Sequence, residues 1–157
     1  MAGPPLDKNR YLQALAGLMD YDLAVTVTID GQTAPHEGYG AAAAWVRRRV
    51  MDALKRASRQ LCGTRWYQEG KARPRAVGFV EHPQSNGHAH LAVKLPAGVA
   101  PNDFEEALAV AWERVAPGGT VDVQVYRSSG WLWYASKEWR CRRGAPDELD
   151  DALIVFA

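Results

Sequence analysis

The stretch "RAVGFVEHPQSNGHAHLAVKL", residues 75 to 95, reads as two β-strands joined by a turn. In "HAHLAVKL", His88, His90, Ala92 and Lys94 alternate with Ala89, Leu91, Val93 and Leu95, and a strand sends successive side chains to opposite faces. The apolar set belongs to a core, which leaves both histidines side by side on the wetter face. Pro83, Ser85, Asn86 and Gly87 supply the turn chemistry between the strands. A symmetric closure of this hairpin sets Glu81 directly opposite His88, and opposed residues share a face. A one-residue bulge would turn Glu81 away and present His82 instead.

Outward from the hairpin, "LAVTVTID" alternates Leu23, Val25, Val27 and Ile29 against Ala24, Thr26, Thr28 and Asp30, a half-buried strand. After the turn-rich "GQTAPHEGYG" comes an amphipathic helix in "AAAAWVRRRVMDALKRASRQLCG", with Val46, Val50, Leu54, Ala57 and Leu61 on one face and Gly63 at its end. Residues 64 to 75 form an exposed basic loop. A second helix, "FEEALAVAWERV", is capped by Asn102 or Asp103 and stops at "APGG". "TVDVQVYR" is another alternating strand, with Val121, Val123 and Val125 inward and Asp122, Gln124 and Tyr126 outward. "SGWLWYASKEWR" reads as one short aromatic helix, "DALIVFA" as a last strand, and the N-terminal segment as helical. The expectation is a single α+β domain over residues 1–157, a central antiparallel sheet of about five strands with helices mainly on one face. Its open face would carry Thr26, Thr28, His88, His90, Lys94, Gln124 and Tyr126.

Composition narrows the class. The 157 residues suffice for a hydrophobic core without disulfides, and the two cysteines, Cys62 and Cys141, form no C-x-x-C pair. No apolar run spans a bilayer and the N-terminus lacks a signal-peptide pattern, so the expectation is a cytoplasmic protein with no membrane partner. Net charge is only +1, yet between Val46 and Arg75 ten basic residues face two acidic ones. Acids gather later, in "NDFEEALAVAWER" and "PDELDD". Such asymmetry is an electrostatic footprint suited to nucleic acid, with Arg73 and Arg75 in the basic loop placed to follow phosphates.

Two imidazoles at i and i+2 can reach one divalent cation, and Glu81 is the natural third ligand. In "WLWYASKEW", Tyr134 and Lys137 are three residues apart and share a face if the segment is one helix. A free phenol is only about one part in a thousand ionised at neutral pH, but a nearby ammonium, or a metal that polarises the electrophile, relaxes that demand. Together these groups suit transesterification at a phosphodiester. Tyr126 is a second candidate nucleophile on the open face.

The H-hydrophobic-H of "HAHL", the strand-end Glu81, the threonine-bearing "VTVTID" and the later Y-x-x-K of "YASKEW" resemble the HUH endonucleases, and more narrowly the single-tyrosine initiators of rolling-circle replication in plasmids and filamentous phages. The resemblance covers roughly residues 22 to 139. It implies a ferredoxin- or RRM-like palm and a divalent metal, Mn2+ or Mg2+, on His88, His90 and Glu81. It further implies Tyr134 as nucleophile, Lys137 assisting near the phosphate, and a 5′-phosphotyrosine with a free 3′-hydroxyl as product. The implied substrate is a single-stranded or hairpin origin. Thr26, Thr28, Lys94, Gln124, Tyr126, Arg73 and Arg75 are the candidate DNA contacts. With no P-loop in the chain, unwinding and synthesis would fall to a separate helicase and polymerase. The same chemistry also serves transposases and relaxases. A binding module without catalysis would use the same sheet face, and a histidine-triad hydrolase is disfavoured by Ala92 at its third position.

Overall fold

The computed structural model describes residues 7–30, 34, 38–142 and 150–157. Most of the turn-rich stretch before the first long helix, the start of the N-terminal segment and part of the late acidic run lie outside these residues. In chain order the elements are α1 (Lys8–Ala16), β1 (Leu23–Thr28), α2 (Tyr39–Cys62), β2 (Arg75–Glu81), β3 (His88–Lys94), α3 (Pro101–Val115), β4 (Val121–Val125), α4 (Gly130–Ala135), α5 (Lys137–Cys141) and β5 (Leu153–Phe156). All strand pairings are antiparallel, and the sheet order is β4-β1-β3-β2-β5. From β1 to β4 this is the βαββαβ arrangement of ferredoxin-like folds, extended by β5 beside β2.

One sheet face carries Leu23, Val25, Val27, Leu91, Val93, Val80 and Ile154, all buried in one cluster with Val46, Val50 and Leu54 of α2 and Phe104, Leu108 and Trp112 of α3. The 24-residue α2 ends where the periodicity predicts, at Gly63, whose φ of 85° is left-handed backbone that glycine adopts freely. Helix α3 begins earlier than predicted. Ala100 is its cap and Pro101 its first residue, so Asn102 and Asp103 lie inside the first turn. Proline suits that position because its fixed φ is helical and its missing N–H would have had no partner there.

Two further differences bear on the site. The aromatic segment is not one helix: it breaks at Ser136 into α4 and α5. Those two short helices lie on the opposite sheet face from α2 and α3, with Trp131 against His90 and the buried Trp139 against Phe79. Strand β4 is an edge strand with only one partner, so its valines are incompletely covered and Val125 is 64% exposed rather than inward.

Gly78 of β2 pairs in register with Leu91 of β3. A Cβ there would collide with the His90 carbonyl oxygen and the Leu91 side chain, both on the strand that carries the histidines. Gly78→Ala is therefore expected to destabilise the fold by about 1–3 kcal/mol, the usual range for forcing an extra carbon into a filled interior. Denaturant titration checks this.

Candidate metal centre and adjoining pocket

The hairpin closes in the symmetric register. Glu81 pairs with His88 and Phe79 with His90 across β2 and β3, while Thr26 and Thr28 of β1 pair with His90 and His88 on the other side. Among the described residues, Glu81, His88 and His90 are the one trio of potential metal ligands whose donor atoms all lie within 4.8 Å of one another. A single carboxylate oxygen, Glu81 Oε2, stands 2.9 Å from His88 Nε2 and 3.1 Å from His90 Nε2. His82, the alternative third ligand, is not in the trio.

The tautomers can be worked out from the partners. His88 Nδ1 lies 2.8 Å from the Asn86 carbonyl oxygen, which can only accept, so Nδ1 carries a proton and donates. A neutral His88 would then aim its Nε2 lone pair at the Glu81 carboxylate, acceptor against acceptor. Only a positive charge between or on these groups reconciles the geometry, either a proton or a metal ion. His90 differs: its Nδ1 faces the Thr26 hydroxyl at 3.0 Å, a partner able to donate or accept. His90 is 5% exposed, and burial holds its pKa below the ordinary value, with the His88 charge acting the same way and Glu81 opposing. Burial thus favours its neutral form, the form that ligates metal.

The trio fits a divalent ion on chemical grounds. It has two imidazoles and a carboxylate, one histidine anchored through its second nitrogen to a backbone carbonyl and the other to a threonine, the outer contacts that orient metal-binding histidines. The 2.9 and 3.1 Å separations match neighbouring ligands of an ion with bonds of about 2.1 Å and octahedral preference. Thr26 is accordingly a positioning residue for His90. Thr26→Val is expected to weaken metal binding roughly 10- to 100-fold, as loss of an outer contact typically does, with isothermal titration as the check.

A pocket of about 420 Å³ opens beside the trio, lined by Glu81, His82, His88, Tyr134, Lys137, Glu138 and Cys141. Tyr134 is 58% exposed, and its ring packs edge-on against His90 at 5.6 Å between centroids. Its helix is fixed to the sheet by Trp131, whose indole N–H donates to the Leu91 carbonyl at 3.1 Å. Lys137 belongs to the following helix, so the two meet by lining one pocket, not by helical spacing. On α5, Glu138 accepts the His82 backbone N–H at 2.9 Å and stands 3.3 Å from His82 Nδ1. That contact holds His82 in left-handed backbone, φ 45°, where the chain turns immediately after Glu81. Lys8 of α1 donates to the carbonyls of Trp139 and Arg142 at 2.6 and 2.8 Å, closing the end of α5.

The seven candidate DNA contacts do not converge on this pocket. Thr26 serves His90, and Thr28 bonds Thr120 at 2.6 Å. Lys94 pairs with Asp22, Gln124 donates to Asp122, and Arg73 donates to the Tyr67 carbonyl. Arg75 pairs in register with Lys94 at the far end of β2, about 20 Å along the strand from Glu81. Tyr126 follows β4 and packs on Tyr21 at 5.3 Å, and burial raises its pKa. Glu138 and Trp131 were the residues missed. Glu138 stands four places after Tyr134, a spacing that carries little signal in a segment rich in charges and aromatics.

The chain matches no family model, no curated protein and no solved structure. No helix among the described residues is long and apolar enough to cross a membrane.

Proposed function

We propose that this protein is a metal-dependent endonuclease that nicks and rejoins single-stranded DNA through a tyrosyl intermediate, and that it initiates rolling-circle replication of a mobile element. One observation carries the reading: an exposed tyrosine packs edge-on against His90 of a His-His-Glu set and opens on the same pocket as the other two members, Glu81 and His88. The Tyr134 oxygen attacks the phosphorus, its bond to the 5′-phosphate forms as the bond to the 3′-oxygen breaks, and the departing 3′-oxygen takes up a proton as the phenol loses its own. Lys137 contributes an ammonium on the same pocket wall, where it can pair with the phosphate. A bound Mn2+ or Mg2+ would polarise the phosphoryl oxygens. His88, His90 and Glu81 would hold that ion, and Thr26 and the Asn86 carbonyl hold the histidines. The separate helicase and polymerase, and a single-stranded or hairpin origin, follow from the same reading.

A non-catalytic sheet module would need the open face as a platform. Trp131 and Trp139 fill much of that face over β2 and β3, which tells against it. Incubating the protein with a diverse pool of labelled single strands and hairpins, with Mn2+ or with chelator, separates the readings under denaturing electrophoresis. A metal-dependent protein–DNA adduct is expected. Binding that ignores chelator and leaves no adduct overturns the nuclease reading, and the captured sequence distinguishes a replication origin from a transposon end.

A further inference from the structure

A second groove, of about 470 Å³, runs between α1 and α4 on the other side of the tyrosine-bearing helix, lined by Leu12, Gln13, Ala16, Ser129, Gly130 and Trp133. Trp133 is the residue immediately before Tyr134 and is 45% exposed. One face of its indole is covered by the Arg140 guanidinium, 3.9 Å from the ring centroid. That guanidinium is itself fixed, donating through Nε to the Ser136 hydroxyl at 3.1 Å and through Nη2 to the Trp133 carbonyl at 2.9 Å. Arg140 does not line the groove, so the groove meets the indole away from its covered face.

An aromatic ring backed by a fixed cation and open to solvent is a stacking platform for an unpaired base. The other lining residues complete such a site. Leu12 and Ala16 give an apolar wall, and Gln13 brings an amide with both a donor and an acceptor to a position from which a base edge can be read. The groove's volume lies within the range of small-molecule sites, roughly 300–1,000 Å³. The Arg140 charge behind Trp133 suits a polyanionic strand.

We propose that this groove takes one unpaired nucleobase of the strand being cut, stacked on Trp133 and read by Gln13. Because Trp133 and Tyr134 are consecutive, that base lies within about two nucleotides of the scissile phosphate. The inference rests on the nuclease reading and names a specificity subsite for it.

The test uses the oligonucleotide captured as a covalent adduct by the full-length protein, with a single abasic position walked across the cleavage point. One abasic position is expected to slow adduct formation roughly tenfold or more, the scale of a lost base–aromatic stack. In Trp133→Ala that same position should have no further effect, while Trp133→Phe, which keeps a ring, retains most of the sensitivity. Gln13→Ala should relax the base preference at that position alone. Both side chains are at the surface, and circular dichroism with metal titration confirms that the variants fold and bind metal. Adduct formation whose abasic profile is unchanged by Trp133→Ala overturns the subsite and leaves the nuclease reading standing. Absence of any adduct with the wild-type protein overturns both.

Discussion

Tyr134→Phe is expected to eliminate the covalent protein–DNA adduct and to lower strand cleavage on the order of 10⁴-fold or more, as removal of an attacking oxygen does in other covalent enzymes. The rest of the site should be untouched. The side chain is 58% exposed, loses only its hydroxyl and keeps its edge-on contact with His90. Metal affinity, thermal stability and DNA binding are therefore expected to remain near those of the unaltered protein. No neighbouring phenol can take over. Tyr39 is buried beneath Arg142, and its burial and the Glu138 carboxylate push its pKa well above the ordinary value. Tyr126 lies beyond the edge strand and is also raised by burial. Persistence of an adduct in the phenylalanine variant would assign the chemistry elsewhere.

The second large effect concerns Glu81. With His88 Nδ1 donating to the Asn86 carbonyl, a neutral His88 has only a lone pair at Nε2, and it faces a carboxylate oxygen at 2.9 Å. Glu81→Gln replaces that oxygen with an amide that can turn its NH₂ toward Nε2 and donate. In chelator the variant is thus expected to be at least as stable as the wild type. Added metal should separate the two sharply. The wild type gains about 2.7 kcal/mol at a hundredfold excess of Mn2+ over its dissociation constant, while the variant, lacking the anionic ligand, gains almost nothing. Thermal unfolding with and without Mn2+ reads both halves of this result, and adduct formation by the variant should fall with its metal affinity. An equal metal response in both proteins would show that Glu81 is no ligand.

Much of this architecture is legible in the sequence because period-two alternation is strong in β1 and β3, where one face is filled by long aliphatic side chains. The hairpin register could be read for the same reason: a slip by one residue would have put His88 and His90 into the core and Leu91 into solvent. The helical break at Ser136 could not. Serine is ordinary in short helices, and its pattern does not reveal that Ser136 is fully buried, with its hydroxyl donating to the Trp133 carbonyl and accepting from Arg140. The partners of the DNA-contact candidates were not legible for a related reason. Alternation tells which face a side chain occupies but not what lies above it, and α4 with α5 covers the part of that face nearest the histidines. Thr26 was placed on the correct face, but its hydrogen bond to His90 could not be read from alternation.

The break at Ser136 also divides the site by mobility. His88 and His90 lie on β3, a strand hydrogen-bonded on both sides by β1 and β2. Tyr134 rides on a helix of six residues followed by one of five, joined to the sheet through a few side-chain anchors at Trp131, Trp139 and Glu138. Backbone amides of α4 and α5 are expected to exchange with solvent through local opening, at a lower free energy than those of β3, which open with the whole fold. The His-His-Glu trio can stay assembled while local opening frees Tyr134 from it. Under the proposed nuclease reading, grip and release of the strand are then carried by different parts of the chain.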